Sequence, residues 1–220
     1  MQIFDHSVTQ HWLSVGEDQL KGLPPLTSDL ESIRGTLLSL IDLPLSEVDD
    51  ILGWLSCIQA LASVSSGNFG IGALILDRNG FLWTQGHNEV MQPYFRSDAH
   101  AEMVVLSRFE AEYPDLKLPG LMLYTSLEPC PMCYTRLLIS SIEEVVFVAN
   151  DGPGGMVSRK EQMPPYWRSM ENNCRFRKAQ VKAELEQCSL KILSSNHEAL
   201  MANVNPDPLN PEMARHPWRP

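Results

Sequence analysis

Residues 124–133 read YTSLEPCPMC and place two cysteines, Cys130 and Cys133, three positions apart. Pro131 follows the first cysteine, and proline is favoured at the first position of a helix, so we expect the pair at a helix start. The chain has five cysteines, and an odd number does not suit a disulfide framework. A redox pair and a metal site remain as interpretations of this motif.

A histidine and a glutamate thirty residues earlier favour the metal site. The stretch AHAE contains His100 and Glu102. Catalytic zinc has three protein ligands and one open position, and His100, Cys130 and Cys133 are suitable ligands. Positions two apart on a helix do not face the same way, so Glu102 suits proton transfer beside the open position better than metal binding. A redox pair, or a structural zinc with His87 as fourth ligand, is the alternative.

H-x-E followed by P-C-x-x-C is a signature of zinc deaminases. The chain resembles the cytidine deaminase-like superfamily, and within it the branch of bacterial guanine deaminases and tRNA adenosine deaminases. The stretches that carry the resemblance are GALIL at 72–76, GHN at 86–88, AHAE at 99–102 and YTSLEPCPMC at 124–133. The resemblance implies one zinc ion per chain, bound by His100, Cys130 and Cys133. It also implies proton transfer by Glu102 and an asparagine, Asn88, that holds the base.

Hydrophobic periodicity predicts alternating strands and helices in the middle of the chain. A helix is expected from about Ser46, a candidate N-cap, to Val64, followed by a hairpin of GALIL and FLWTQG. The next elements are a helix around His100, a strand at 121–125, a helix after Pro131 and a strand at 144–148. This order predicts a mixed sheet covered by helices, a three-layer α/β/α sandwich, and the resemblance implies that the sheet has five strands.

The two ends of the chain differ from this pattern. Residues 1–45 are predicted to form an N-terminal helical arm, residues 46–195 the zinc deaminase domain, and residues 196–220 a proline-rich C-terminal tail. Within the domain, the charged run 175–186 is predicted to be helical, and residues 189–193 are a candidate last strand. The tail is too rich in proline for regular structure near its end. Because the family resemblance implies a homodimer, we expect part of the tail to contact the other subunit.

Charge and hydropathy narrow the possible partners. The formal net charge is −10, which repels a polyanion unless a local basic patch overrides it. The one basic cluster, RFRK at 175–178, is more typical of a solvated helix face than of a nucleic-acid contact. No apolar run is long enough to span a membrane, and the start of the chain does not resemble a signal peptide. A cytoplasmic protein without a membrane or nucleic-acid partner is therefore expected.

The predicted reaction is the hydrolytic removal of an exocyclic amine, as ammonia, from a small nucleobase or nucleoside. A purine such as guanine is favoured by resemblance, and the alternatives are a tRNA adenosine-to-inosine deaminase and a non-catalytic zinc protein. We expect the base between Asn88, the backbone around Ala101 and the residues before Cys130. The glycine-rich segment 151–167 is the candidate lid, on which Trp167 would stack against the base. RSD before AHAE, where the family often has DPT, leaves the substrate open.

Overall fold

The computed structural model describes residues 6–40, 48–115 and 118–204. The helices in these ranges are α1 (His6–Gly22), α2 (Ser28–Ser39), α3 (Val48–Ser65), α4 (Ala101–Glu112), α5 (Pro131–Leu138), α6 (Pro165–Arg168), α7 (Ala183–Ser194) and α8 (His197–Val204). The strands are β1 (Gly72–Leu76), β2 (Leu82–His87), β3 (Met122–Leu127), β4 (Glu144–Ala149) and β5 (Arg175–Lys178). Ser46, the candidate N-cap, lies outside the described residues. No described helix combines the length and the apolar character that crossing a membrane requires.

The five strands form one mixed sheet in the order β2-β1-β3-β4-β5. β1 pairs antiparallel with β2 and with β3, whereas β3–β4 and β4–β5 are parallel. A hairpin can join antiparallel strands, but parallel strands need a crossover connection, and α5 supplies the one between β3 and β4. The predicted mixed five-stranded sheet is therefore confirmed.

Helices cover both faces of the sheet. Side chains alternate along β1, so that Leu74 and Leu76 face one core and Ala73 and Ile75 face the other. The first core is completed by α1, α2, α3 and α7, and the second by α4 and α5. Every residue of β3 is buried, as expected for a central strand covered on both sides. The predicted three-layer α/β/α sandwich is confirmed.

The first two helices belong to the same core as the sheet. Trp54 of α3 is fully buried, and its Nε1 donates a hydrogen bond of 2.8 Å to the carbonyl of Leu37 in α2. A Cβ added at Gly16 of α1 would overlap the ring of Trp54, so the absence of a side chain lets α1 approach α3 closely. Burial of an aliphatic side chain such as Leu37 contributes roughly 1.5–3 kcal/mol to the free energy of folding. The burial of Leu37 therefore stabilises the packing of residues 6–39 on the domain.

The prediction for residues 175–193 was wrong in the order of its elements. RFRK forms β5, the edge strand beside β4, and residues 183–194 form α7. Phe176 stacks on Tyr134 with ring centroids 4.4 Å apart, so the strand is anchored by an aromatic contact. The buried residues of α7 follow the helical spacing i, i+3, i+4 and i+7: Leu185, Cys188, Ser189 and Ile192. The stretch SLKIL at 189–193, which was the candidate last strand, is therefore part of this helix. Its buried residues follow the helical period that runs through the whole of α7.

Candidate active site

The starts of two helices bring the predicted metal ligands together. β3 ends at Leu127, and the chain then turns into α5, whose N-cap is Cys130 and whose first residue is Pro131. His100 is the N-cap of α4. The first N–H groups of a helix lack intrahelical partners, and the helix dipole is positive at this end. Both helix starts therefore favour negatively charged groups such as thiolates.

The three candidate ligand atoms have the spacing of a tetrahedral zinc site. Nδ1 of His100 lies 3.5 Å from Sγ of Cys130 and 3.7 Å from Sγ of Cys133, and the two sulfurs are 3.6 Å apart. With zinc–sulfur bonds of ~2.3 Å and zinc–nitrogen bonds of ~2.05 Å, tetrahedral geometry places the sulfurs ~3.8 Å apart and the nitrogen ~3.6 Å from each sulfur. The donor types and their spacing therefore both fit zinc.

The protonation of the two cysteines differs. The hydrogen bond between Cys130 and Cys133 is the main reason that the pKa of Cys130 falls to about 4, and the contact with His100 lowers it further. The pKa of Cys133 is raised by the same hydrogen bond and by burial. For His100, burial works to lower the pKa, but the hydrogen bond and the charge of Cys130 raise it overall. One thiolate is thus available readily, and binding of a metal ion displaces the second thiol proton.

Glu102 lies beside the cluster in the first turn of α4. Its side chain is buried, and Oε2 is 3.5 Å from Sγ of Cys133, which donates a hydrogen bond to it. Burial and the negative charge of Cys130 raise the pKa of Glu102 to about 7. A carboxyl group that changes protonation near neutral pH can accept a proton and deliver it elsewhere, which is the requirement for a general acid and base.

A cavity of about 670 Å³ opens over this cluster. That volume is typical of small-molecule sites. The lining includes Asn88, His100, Glu102, Cys130, residues 150–154 and several residues of α7 and α8. The side chain of Asn88 is buried, and its Oδ1 accepts a hydrogen bond of 3.0 Å from the backbone N–H of Val90. This bond orients the amide group, so that the NH₂ group is the part of Asn88 left for a ligand.

Two predicted substrate contacts lie apart from the cavity lining. Ala101 is fully buried in the core on the α4–α5 side of the sheet, between His100 and Glu102 in sequence, and does not line the cavity. Trp167 lies in α6, where its indole packs against the same core, and it does not line the cavity either. The predicted residues that surround the cavity or form its metal cluster are Asn88, His100, Glu102, Cys130 and Cys133.

The predicted lid, residues 151–167, contributes only residues 151–154 to the cavity lining. Its glycines do not have positive φ angles, and a side chain at Gly155 would collide with the carboxyl group of Glu128. In this segment Gly155 therefore allows close packing, which is a different role from the mobility expected of a lid.

Sequence reasoning missed the contribution of the C-terminal helices to the cavity. The wall formed by α7 and α8 consists of Leu190, Leu193, Ser194, His197, Glu198 and Met201. The imidazole of His197 lies 5.8 Å from the ring of Phe69, another lining residue. The sequence does contain apolar residues here, such as Leu190 and Met201, and these two remain 41% and 39% exposed in the structure. The sequence alone does not locate them at the cavity, because their position depends on how α8 packs against the domain.

A mixed five-stranded sheet with a histidine, two cysteines and a buried glutamate at two helix starts defines the zinc-dependent deaminases as a class. Residues 53–149 match the family model described as the cytidine and deoxycytidylate deaminase zinc-binding region. Residues 53–149 therefore form a zinc-binding region of the cytidine deaminase-like kind, as the resemblance implied.

Several relatives share this domain. A tRNA-specific adenosine deaminase of Bacillus subtilis (strain 168) is 38% identical over 97 residues, which are 44% of this chain and 59% of that protein. A structure from a study of A-to-I editing by tRNA:A34 deaminases is 24% identical and covers 63% of this chain and 95% of its own, with a TM-score of 0.53. A guanine deaminase structure from Nitrosomonas europaea is 22% identical and covers 70% and 86%, with a TM-score of 0.55. The two structures show the shared fold, and the chain spans less than two thirds of the B. subtilis protein.

Proposed function

We propose that the protein is a zinc-dependent hydrolytic deaminase that releases ammonia from a small aminated nucleobase or nucleoside, with a purine such as guanine as the first candidate. The observation that carries this proposal is the position of Glu102. Its carboxyl group is buried beside the three candidate zinc ligands. Glu102, His100 and Cys130 line a cavity of small-molecule size, and Cys133 adjoins them. A zinc site that only stabilised the fold would not need a carboxylate in this position, which argues against a non-catalytic protein.

The residues divide the chemistry of hydrolysis between them. The reaction breaks the bond between a ring carbon and its exocyclic amine, forms a carbon–oxygen bond with water, and releases ammonia. Zinc held by His100, Cys130 and Cys133 would supply Lewis acidity that makes water nucleophilic near neutral pH. Glu102 takes a proton from the water and passes it to the departing amine. The NH₂ group of Asn88 donates a hydrogen bond to the base and holds it in the cavity.

The charge of the cavity supports a small and uncharged substrate. Four of the residues that line it are acidic, Glu102, Glu128, Asp151 and Glu198, and neither lysine nor arginine is among the described lining residues. A polyphosphate ligand needs several cationic contacts, and its binding weakens steeply with salt when they are few. Leu190, Leu193 and Met201 of α7 and α8 also line the cavity, and their apolar surfaces favour contact with a base over contact with the phosphates of a folded RNA.

Deamination of adenosine in tRNA is the second candidate, because the B. subtilis relative bears that name. The residues that could contact RNA phosphates are those of the basic strand β5. Arg177 pairs with Asp49 and Glu144, and Lys178 pairs with Glu186, so two of its cations are already neutralised by carboxylates. Arg175 is 75% exposed, and it remains the most accessible cation of the strand.

A direct comparison of substrates tests the proposal. Ammonia release would be measured with a panel of free purines, pyrimidines and nucleosides, and with a tRNA anticodon stem-loop, all at the same salt concentration. Glu102→Ala, purified in parallel, is the control for a contaminating deaminase. We expect turnover of at least one free base or nucleoside. Deamination of the stem-loop alone would overturn the small-molecule assignment, and activity that persists in Glu102→Ala would overturn the mechanism.

A further inference from the structure

Glu128 is a buried carboxylate that the proposed reaction does not use. It follows β3 directly, and its side chain is 3% exposed at the edge of the cavity. Oε2 accepts a hydrogen bond of 3.1 Å from the backbone N–H of Asp151, and Oε1 accepts one of 2.7 Å from the backbone N–H of Ser158. A carboxylate is acceptor-only, so it can satisfy two backbone donors at once, and bonds to a charged acceptor are stronger than neutral ones.

The segment that Glu128 holds forms part of the cavity wall. We call residues 150–158 the wall loop, because residues 150–154 line the cavity. The loop has one further tie to the site, because Met156 donates a backbone hydrogen bond of 2.9 Å to Pro129, and within the loop Gly155 donates one of 2.8 Å to Asp151. The two hydrogen bonds that Glu128 accepts therefore hold the loop where it meets the segment that leads to the metal cluster.

Gly155 provides independent evidence that this contact is tight. A Cβ built on Gly155 would overlap Cδ and Oε2 of the Glu128 carboxyl group. Its φ is not positive, so the requirement for glycine here is one of space and not of backbone conformation. The close packing of Gly155 and the two hydrogen bonds are separate observations of one contact, and both depend on the position of the Glu128 side chain.

We propose that Glu128 is a positioning residue, which fixes the wall loop so that its residues 150–154 hold the substrate over the metal cluster. The proposal rests on the proposed function for its substrate, but the contact between Glu128 and the loop can be tested without one. Loss of the contact should displace the wall loop and weaken substrate binding, since small displacements of positioning groups have large kinetic effects. The zinc cluster should be unaffected, because Glu128 does not supply a ligand to it.

Two variants disturb the contact from opposite sides. Glu128→Gln keeps the size of the side chain, but its NH₂ group cannot accept a hydrogen bond, so one of the two loop N–H groups loses its acceptor. Gly155→Ala leaves the carboxylate unchanged and pushes it away from the loop. Gly35→Ala in α2 is the matched control, because a Cβ at Gly35 has no atom within 4 Å. Zinc content, kcat and KM would be measured for all three proteins.

In Glu128→Gln and Gly155→Ala we expect KM to rise about tenfold or more, with a smaller fall in kcat and one zinc retained per chain. Amide hydrogen exchange at Asp151 and Ser158 should be faster in both variants than in the wild type. Unchanged exchange and KM in folded, zinc-loaded variants would overturn the proposal, as would loss of zinc from Glu128→Gln or an equal rise in KM in Gly35→Ala. Faster exchange in the variants, with a wild type that converts no substrate of the panel, would refute the proposed function and leave the loop contact intact.

Discussion

Replacement of Arg177 by alanine should destabilise the fold strongly, although the residue belongs to a cluster that reads as a solvated basic patch in the sequence. Nη1 and Nη2 of Arg177 donate to the two carboxylate oxygens of Asp49 at 2.6 and 2.9 Å, and Nε donates to Glu144 at 2.7 Å. Asp49 also accepts hydrogen bonds from the hydroxyl of Tyr124 and the backbone of Gln180, each at 2.7 Å. The pair therefore links α3 to β5 through a network inside the domain.

The magnitude follows from burial. The side chains of Arg177 and Asp49 are 20% and 6% exposed, so solvent does not replace the lost partner well. Removal of one member of a buried ion pair costs about 3–5 kcal/mol, which for a protein of this size lowers Tm by roughly 6–20 °C. Arg175→Ala is the matched control, because Arg175 is 75% exposed and reaches Glu144 only at 4.0 Å. An exposed pair of this kind is worth less than about 1 kcal/mol.

The effect should also depend on pH. Burial alone would raise the pKa of Asp49, but the hydrogen bonds from Arg177, Gln180 and Tyr124 outweigh it and place the pKa below its usual value. The stabilisation is therefore complete above pH ~4 and is lost as the pH falls through the lower pKa of the folded state. Urea unfolding of wild type, Arg177→Ala and Arg175→Ala between pH 3 and 7 measures this. Equal, small losses in the two variants, or a gap between Arg177→Ala and wild type that widens below pH 4, would refute the reasoning.

The remaining predictions concern the site and the assembly. Purified protein should contain close to one zinc per chain, and Cys133→Ala should lose it; unchanged zinc by elemental analysis would contradict the ligand assignment. Glu102→Ala should retain zinc and lose activity by about 10²–10⁴-fold or more in a steady-state assay, whereas loss of zinc would make Glu102 a ligand. Trp167→Ala should lower Tm and change kcat/KM little, because the indole packs against the core; a larger change in kcat/KM would restore its predicted contact with the base. Light scattering at micromolar concentration should show a homodimer, and a strict monomer would contradict the assembly implied by the family.

The proposed metal ligands and Glu102 were accessible from the sequence because they are encoded locally. The positions of Cys130 and Cys133 follow from one helix start, and those of His100 and Glu102 follow from another. Ligand chemistry limits which residue types can bind zinc, and helix geometry limits which neighbouring side chains can point toward the same ion. The sheet was accessible for a similar reason, since its central strands are short apolar runs bounded by turns.

The parts that could not be predicted depend on partners distant in the chain. RFRK has no local feature that separates a charged helix from an edge strand, and its strand form is stabilised by pairing with β4 and by the contact of Arg177 with Asp49, 128 residues away. The sequence around Glu128 does not distinguish a solvated carboxylate from a buried one, because its two hydrogen-bond donors lie 23 and 30 residues further along the chain. Sequence patterns report periodicity, whereas these roles depend on which segments the fold brings together.

This division between local and distant determinants has a functional consequence. The proposed reaction depends on the proposed zinc ligands and on Glu102, and these residues lie in two short motifs. The cavity is lined in part by the wall loop and by α7 and α8, which follow the last residue of the matched family region, 149. Changes in these elements can therefore alter the substrate without any change in the motifs. The relative named for tRNA is similar over 97 residues, which are 44% of this chain. Glu198 and Met201 of α8, which lie after residue 149, are therefore the residues to exchange when substrate selection is tested.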